Sequence, residues 1–257
     1  MTPAGTHDYD LIVRGGLVVD GSGNPARRAD VGVRAGRIVR VGDLTGVAGA
    51  EEIDATGLVV APGIIDPHTH YDPQITWDGY ATASCFHGVT TVVAGNCGFS
   101  IAPTKPEDRP FFAGLFAKVE GMSPVALSGV RWEFDTFREY LETRRGALGV
   151  NLACYVGHCN LRRWVMGPEG SARTATPEEI DAMCALLGEA LAAGAAGFSS
   201  THAPTHNDGD NHPVPSRFSE SDELLALAEE VGRAGRGTIS YLPRSASAAS
   251  TPTTWTC

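Results

Sequence analysis

An apolar run, Leu58-Val59-Val60-Ala61-Pro62-Gly63-Ile64-Ile65, leads directly into Asp66-Pro67-His68-Thr69-His70. A run of that length reads as a strand buried on both faces, the kind found in parallel sheets covered by helices. Side chains two apart on an extended chain point the same way. His68 and His70 are therefore expected to aim two imidazoles at one point just past the strand's carboxyl end, where α/β barrels build their active sites. Two neutral imidazoles on one face suit zinc or a similar divalent ion. The plainer reading of a bare His-x-His is a pair of solvated loop histidines; the preceding strand and Asp66 favour metal.

The chain around this motif divides by texture. Residues 8–57 read as short strands and turns, including a strong turn at Gly21-Ser22-Gly23-Asn24-Pro25 and a hairpin over 30–42 with Ala35-Gly36 at its tip. These strands alternate as half-exposed antiparallel strands do. From residue 58 onward strand and helix patterns alternate, the signature of a parallel sheet. Strands are predicted over 58–65, 88–95, 149–158, 196–200 and 237–242. Helices are predicted near 77–88, across 134–145, from the capping box Thr176-Pro177-Glu178-Glu179 to about 193, and over 219–235. The expected fold is therefore α/β: a partial (β/α)8 TIM-type barrel of about five βα units, over 63–244, with a small N-terminal β-sandwich portion over 1–62. A complete barrel takes about 250 residues, so this one is expected to stop part-way round. The Ser/Thr/Ala-rich stretch 245–257 has no periodicity and is expected to be disordered.

Composition limits the partners. In 257 residues, 42% hydrophobic with 31 Gly and 16 Pro, there is room for one large domain or one and a half, rich in turns. A formal net charge of −10 argues against nucleic acid and anionic membrane. The opening residues lack the basic start and apolar core of a secretory signal, and no apolar stretch approaches the roughly 18 residues of a membrane span. A cytoplasmic location is expected. None of the six cysteines, Cys85, Cys97, Cys154, Cys159, Cys184 and Cys257, forms a Cys-x-x-Cys pair, which argues against a disulfide framework. Most read as small buried hydrophobes.

Cys97 is the exception. It lies in Gly95-Asn96-Cys97-Gly98, just beyond the predicted strand 88–95. Adjacent barrel strands end side by side, so its sulfur is within reach of an ion held by His68 and His70, and an ion would hold it as thiolate. A buried structural cysteine is the alternative. Glycine on either side argues for a tight functional turn.

These motifs carry a resemblance. The start over 9–16, Asp66-Pro67-His68-Thr69-His70-Tyr71-Asp72, Gly95-Asn96-Cys97-Gly98, Gly157-His158-Cys159-Asn160-Leu161-Arg162 and Val165-Met166-Gly167 resemble, in order over roughly 8–235, the N-acyl-D-amino-acid deacylases of the amidohydrolase superfamily. The resemblance implies a metal-dependent (β/α)8 barrel with an attached β-sandwich, hydrolysing the amide of an N-acylated D-amino acid. It implies Zn²⁺ or another divalent ion, held by His68 and His70, with Cys97 standing where the family has a metal-ligand cysteine. Asp66, His158 and Arg162 are expected in the substrate pocket or behind the ligands, with a satisfied core histidine as the other reading of His158.

The chain departs from the family at two places. The family's fifth strand carries a His shortly before an Arg, where this chain has Tyr241-Leu242-Pro243-Arg244; and Ser199-Ser200-Thr201-His202-Ala203-Pro204-Thr205-His206 replaces the usual loop after the fourth strand. His202, His206 and His212 sit in a polar loop of a kind that is usually solvated. No carboxylate can be named as the proton carrier, Asp66 being too near the ligands in sequence. Two rival readings remain at this stage. One is an amidohydrolase opening cyclic amides such as hydantoins, whose metal-bridging lysine Cys97 would replace. The other is an inactive frame-shifted fragment, self-associating through an open barrel edge.

Overall fold

The computed structural model describes residues 7–244; the tail predicted over 245–257, Cys257 included, lies outside the described residues. The chain divides into two compact units, Met1–Gly63 and Ile64–Cys257.

The first unit is a five-stranded sheet. β1 (Tyr9–Val18), β2 (Arg27–Arg34), β3 (Arg37–Gly42) and β4 (Gly49–Asp54) lie in the order β3-β2-β1-β4, and β5 (Val59–Val60) also pairs with β1. The β2–β3 turn falls at Ala35-Gly36, both residues in the left-handed region (φ 49° and 69°), as the tight hairpin geometry requires. The all-antiparallel expectation is corrected here: β4 and β5 run parallel to β1. Alternation of apolar and polar residues fixes which face is buried and carries no information about strand direction, so the sequence pattern could not separate the two cases. Ile12, Val18 and Val31 are among the buried residues of this sheet.

The second unit is a curled parallel sheet. β6 (Ile64–Asp66), β7 (Val89–Ala94), β8 (Asn151–Gly157), β9 (Gly197–Thr201) and β10 (Thr238–Leu242) lie side by side in chain order. Each strand neighbours its predecessor, the winding of a (β/α)8 barrel. The helices are α1 (Arg109–Val119), α2 (Pro124–Leu127), α3 (Phe137–Arg144), α4 (His158–Met166), α5 (Pro177–Ala193) and α6 (Ser221–Arg233). Val92, Ala94, Cys154, Val156 and Phe198 of the strands share one core with Met183, Leu187 and Leu191 of α5 and Leu227 and Val231 of α6. Capping boxes open α3 and α5, with Thr136 and Thr176 each accepting from the backbone of the Glu three residues on. No helix among the described residues is long and apolar enough to cross a membrane.

Two predicted elements are corrected. The run 58–65 is not one buried strand. Val59–Val60 joins the first unit's sheet as β5, and Ile64–Asp66 joins the second as β6. Pro62 has no N–H to give a ladder and Gly63 has no side chain to pack, so the run breaks between them. Ile64 and Ile65 are 55% and 62% exposed on the outer strand of the described sheet. The helix predicted near 77–88 is replaced by short 3-10 turns, Gln74–Thr76 and Ser84–His87. Asp78 accepts from the backbone N–H of Tyr80 and Thr82, a local alternative to helical bonding. Gly79 packs so closely on the 147–148 backbone that a Cβ would stand 2.1 Å from the Ala147 carbonyl oxygen.

Candidate metal centre

β6 hands the chain to the motif, and β7 holds the motif in place. Asp66 Oδ1 accepts from the His68 backbone N–H at 3.3 Å. Thr69 donates to the Val93 carbonyl through both its backbone N–H and its hydroxyl, each at 2.9 Å. Asn96 Nδ2 donates to the Thr69 and Val93 carbonyls. The loop after β6 is thus tied to the end of β7, which leaves the two imidazoles on one side with ring centroids 5.7 Å apart.

Cys97 is presented by its backbone. Gly95, Cys97 and Gly98 all have φ in the left-handed region, 73°, 57° and 81°, a conformation that costs a non-glycine residue energy and is most common where function demands it. Glycine is required at the flanks. A Cβ on Gly95 would lie 2.2 Å from the Tyr155 carbonyl oxygen, and one on Gly98 would lie 2.9 Å from the Thr201 nitrogen. The outcome is a thiol 3.2 Å from His68 Nε2. One donor atom from each of His68, His70 and Cys97 lies within 4.8 Å of the other two.

The surroundings decide the protonation of these donors. His68 is exposed, His70 half-buried and Cys97 buried. Phe99 stacks on the His70 ring at 5.1 Å and Phe116 meets it edge-on. Burial, with help from His68 and His206, holds His70 down to about 3, so its imidazole is neutral and keeps a lone pair. His70 Nδ1 is buried without a hydrogen-bond partner among the described residues. Burial first, then the nearby carboxylates of Glu120 and Asp72, pushes the Cys97 thiol up to about 12. A cation there would reverse that balance, because it favours the thiolate. Two imidazoles and a thiol, converging from two neighbouring strand ends, are a donor set that fits a zinc-like divalent ion. A cavity of about 230 Å³ is lined by His68, His70, Gln74, Glu120 and Met122 among others.

Other residues singled out from the sequence lie apart from this group. His158 is the first residue of α4 and fully buried: Nε2 donates to Glu223 Oε1 at 2.7 Å and Nδ1 takes the Ser200 hydroxyl at 2.8 Å. Arg162 donates to the same Glu223 carboxylate and to the Gly170 carbonyl. His202 is held between Tyr241 and Ser219, and His212 is exposed beside Asp208. His206 bonds to Thr201 and meets Phe99 edge-on at 6.2 Å.

Two residues near the group escaped the sequence reading. Asp72 is fully buried, and burial raises its carboxyl to about 7. Its signal was present, since 68, 70 and 72 share one face of an extended chain. Glu120 places Oε1 3.3 Å from His70 Nε2. Nothing in the motif announces it, because it arrives from the carboxyl end of α1.

The amidohydrolase family matches residues 51–248. D-aminoacylase of Alcaligenes xylosoxydans xylosoxydans is 44% identical over 236 residues, 91% of this chain and 44% of that protein. N-acyl-D-aspartate deacylase of the same organism is 39% identical over 228 residues, 88% of this chain and 42% of that protein. Among solved structures, a crystal structure of D-aminoacylase matches with a TM-score of 0.71 at 38% identity, covering 90% of this chain and 44% of that one. N-acyl-D-glutamate deacylase from Bordetella bronchiseptica, complexed with zinc and a phosphonate mimic of the reaction's tetrahedral intermediate, matches with a TM-score of 0.76 at 33% identity, covering 94% and 47%. The chain thus spans less than half the length of these relatives. With its barrel-type sheet, its His-x-His at the end of β6 and this match over most of its length, the chain belongs to the amidohydrolase family.

Proposed function

We propose that this chain carries the metal-binding part of an enzyme that hydrolyses the amide of N-acyl-D-amino acids, with Zn²⁺ or another divalent ion as cofactor and a small N-acyl amino acid as substrate. The observation that carries the reading is the convergence of His68, His70 and Cys97, donors within 4.8 Å of one another at the ends of two neighbouring strands. Support comes from the 44% identity to D-aminoacylase and from the zinc present in the related deacylase structure. In this reading residues 1–62 form the β portion and 63–244 the barrel portion.

When bound, the ion supplies Lewis-acid polarisation of the amide carbonyl and lowers the pKa of its water toward ~7. The chain's residues hold and shape the site. His68, His70 and Cys97 are the ligands. Asp66 fixes the His68 backbone. Phe99 and Phe116 form an apolar wall that keeps His70 neutral. His158 and Arg162 act from behind, bracing β9 and α6 through Ser200 and Glu223. We also assign the outer strand β10 a role in self-association, since it has a strand neighbour on one side only among the described residues.

The test compares metal content and hydrolysis. Purified wild-type chain should retain divalent metal, and a His68→Ala, His70→Ala double variant should lose it. The chain alone should show little turnover, since no proton-carrying carboxylate is identified in it; joined to the remaining length that its relatives carry, it should release free amino acid from N-acyl-D-amino acids and not from hydantoins, in a chelator-sensitive way. Equal metal in both chains would falsify the assignment of these ligands, and turnover of hydantoin in preference would favour cyclic-amide chemistry.

A further inference from the structure

Glu120 follows the last residue of α1 and lines the cavity that His68 and His70 share. Its Oε1 stands 3.3 Å from His70 Nε2, without hydrogen-bond alignment, and its carboxylate accepts no hydrogen bond among the described residues. Donors bound to one ion at 2.0–2.2 Å on adjacent tetrahedral vertices stand roughly 3.3 Å apart. The separation of Glu120 from His70 is therefore that of two ligands of a common ion. Charge points the same way. The half-buried Glu120 carboxylate has no Arg or Lys ion-pair partner among the described residues, and burying such a group without a counter-charge is costly.

We propose that Glu120 supplies the fourth donor of the centre, completing a set of two imidazoles, a thiolate and a carboxylate for a zinc-like divalent ion. The inference rests on the metal reading of His68, His70 and Cys97. Glu120 lies outside the group whose donors fall within 4.8 Å of one another. Rotation about its own side-chain bonds closes the remaining gap, and no hydrogen bond to the carboxylate resists that rotation. A fourth protein donor does not shut the ion off from substrate, since zinc expands to five ligands.

The experiment loads wild type, Glu120→Ala, Glu120→Gln and Cys97→Ala with Co²⁺. Affinity is measured by competition with a chromophoric chelator, the Co²⁺ absorption bands are recorded, and circular dichroism checks the fold of each chain. Both Glu120 variants are expected to bind about tenfold or more weakly and to show altered visible bands, because a donor has gone. The near-isosteric Gln variant separates this from misfolding. Cys97→Ala should instead lose the sulfur-to-metal charge-transfer band. Wild-type affinity in the Glu120 variants overturns the proposal. So does weaker binding with unchanged bands, which would make Glu120 a positioning residue. Wild type that takes up no Co²⁺ overturns the metal reading itself and this inference with it, an outcome distinct from the other two.

Discussion

At the residue scale the backbone does most of the work of placing Cys97. Its left-handed φ of 57° is held between two glycines that neighbouring backbone leaves no room to replace. Gly98→Ala should destabilise the chain by more than about 1 kcal/mol and weaken metal binding, as read by denaturant titration and chelator competition. Unchanged values would mean the turn relaxes more freely than its contacts suggest. The buried His158–Glu223–Arg162 cluster makes a second prediction. Glu223→Ala strands Arg162 in the core and should cost about 3–5 kcal/mol. The pH dependence follows from two shifts of the same sign. Burial lowers His158 below its ordinary 6.5, so its protonation opposes folding as pH falls below that value. Burial tends to raise Glu223, but the hydrogen bond from His158 and the Arg162 charge outweigh it and hold the carboxyl below 4.5. Its contribution is full above 4.5 and lost as pH falls through the depressed value. Stability should therefore decline from pH ~6.5 downward and more steeply below ~4.5, and Glu223→Gln should flatten the lower limb. A wild-type stability curve that stays level over that span would contradict the assignment. The convergence of His68 and His70 was legible because a period of two is written in the sequence itself. The partnership of Glu223 with His158 was not, since it joins residues 65 positions apart, and Glu223 sits on a helix among other acids, Asp222, Glu229 and Glu230.

Strong local rules carried the elements that were anticipated. α5 begins where Thr176, Pro177 and Glu179 require, and β7, β8, β9 and β10 fall on the predicted runs. Thr176→Ala removes the acceptor of the Glu179 N–H and should cost about 1 kcal/mol, measurable as a shift in the urea midpoint with unchanged slope. No shift would mean that Pro177 and the core packing of α5 suffice to set its start. The misread elements lie where local signals conflict with tertiary demands. The run 58–65 is apolar throughout, yet Pro62 and Gly63 divide it between two sheets. The 77–88 stretch carries helix-compatible spacing, yet Asp78 and the close approach at Gly79 favour turns. α1 was not anticipated because its apolar residues, Phe111-Phe112-Ala113-Gly114-Leu115-Phe116, are contiguous and give little helical period.

For the molecule as a whole, sequential parallel strands set the ends of β6 and β7 side by side, and this neighbourhood makes a shared site possible at all. The outer strand β10 exposes Ile239 at 45% and Tyr241 at 40%. Concentration-dependent association is the expected behaviour, and Ile239→Lys should shift sedimentation profiles toward the monomer. A wild-type chain that stays monomeric at all concentrations would exclude that role for β10. The His68–Cys97 contact has a further consequence, for thermodynamic linkage. It joins two points 29 positions apart in the chain, so an ion held there behaves as a removable crosslink whose strength is set by the free ion in solution. Binding confined to the native state adds about 2.7 kcal/mol at a hundredfold excess over Kd and more as the ion rises. The melting temperature should climb with the logarithm of free zinc, fall back on adding chelator, and stay flat in a His68→Ala, Cys97→Ala chain. By that measure the protein has no single stability, only one for each concentration of its ion.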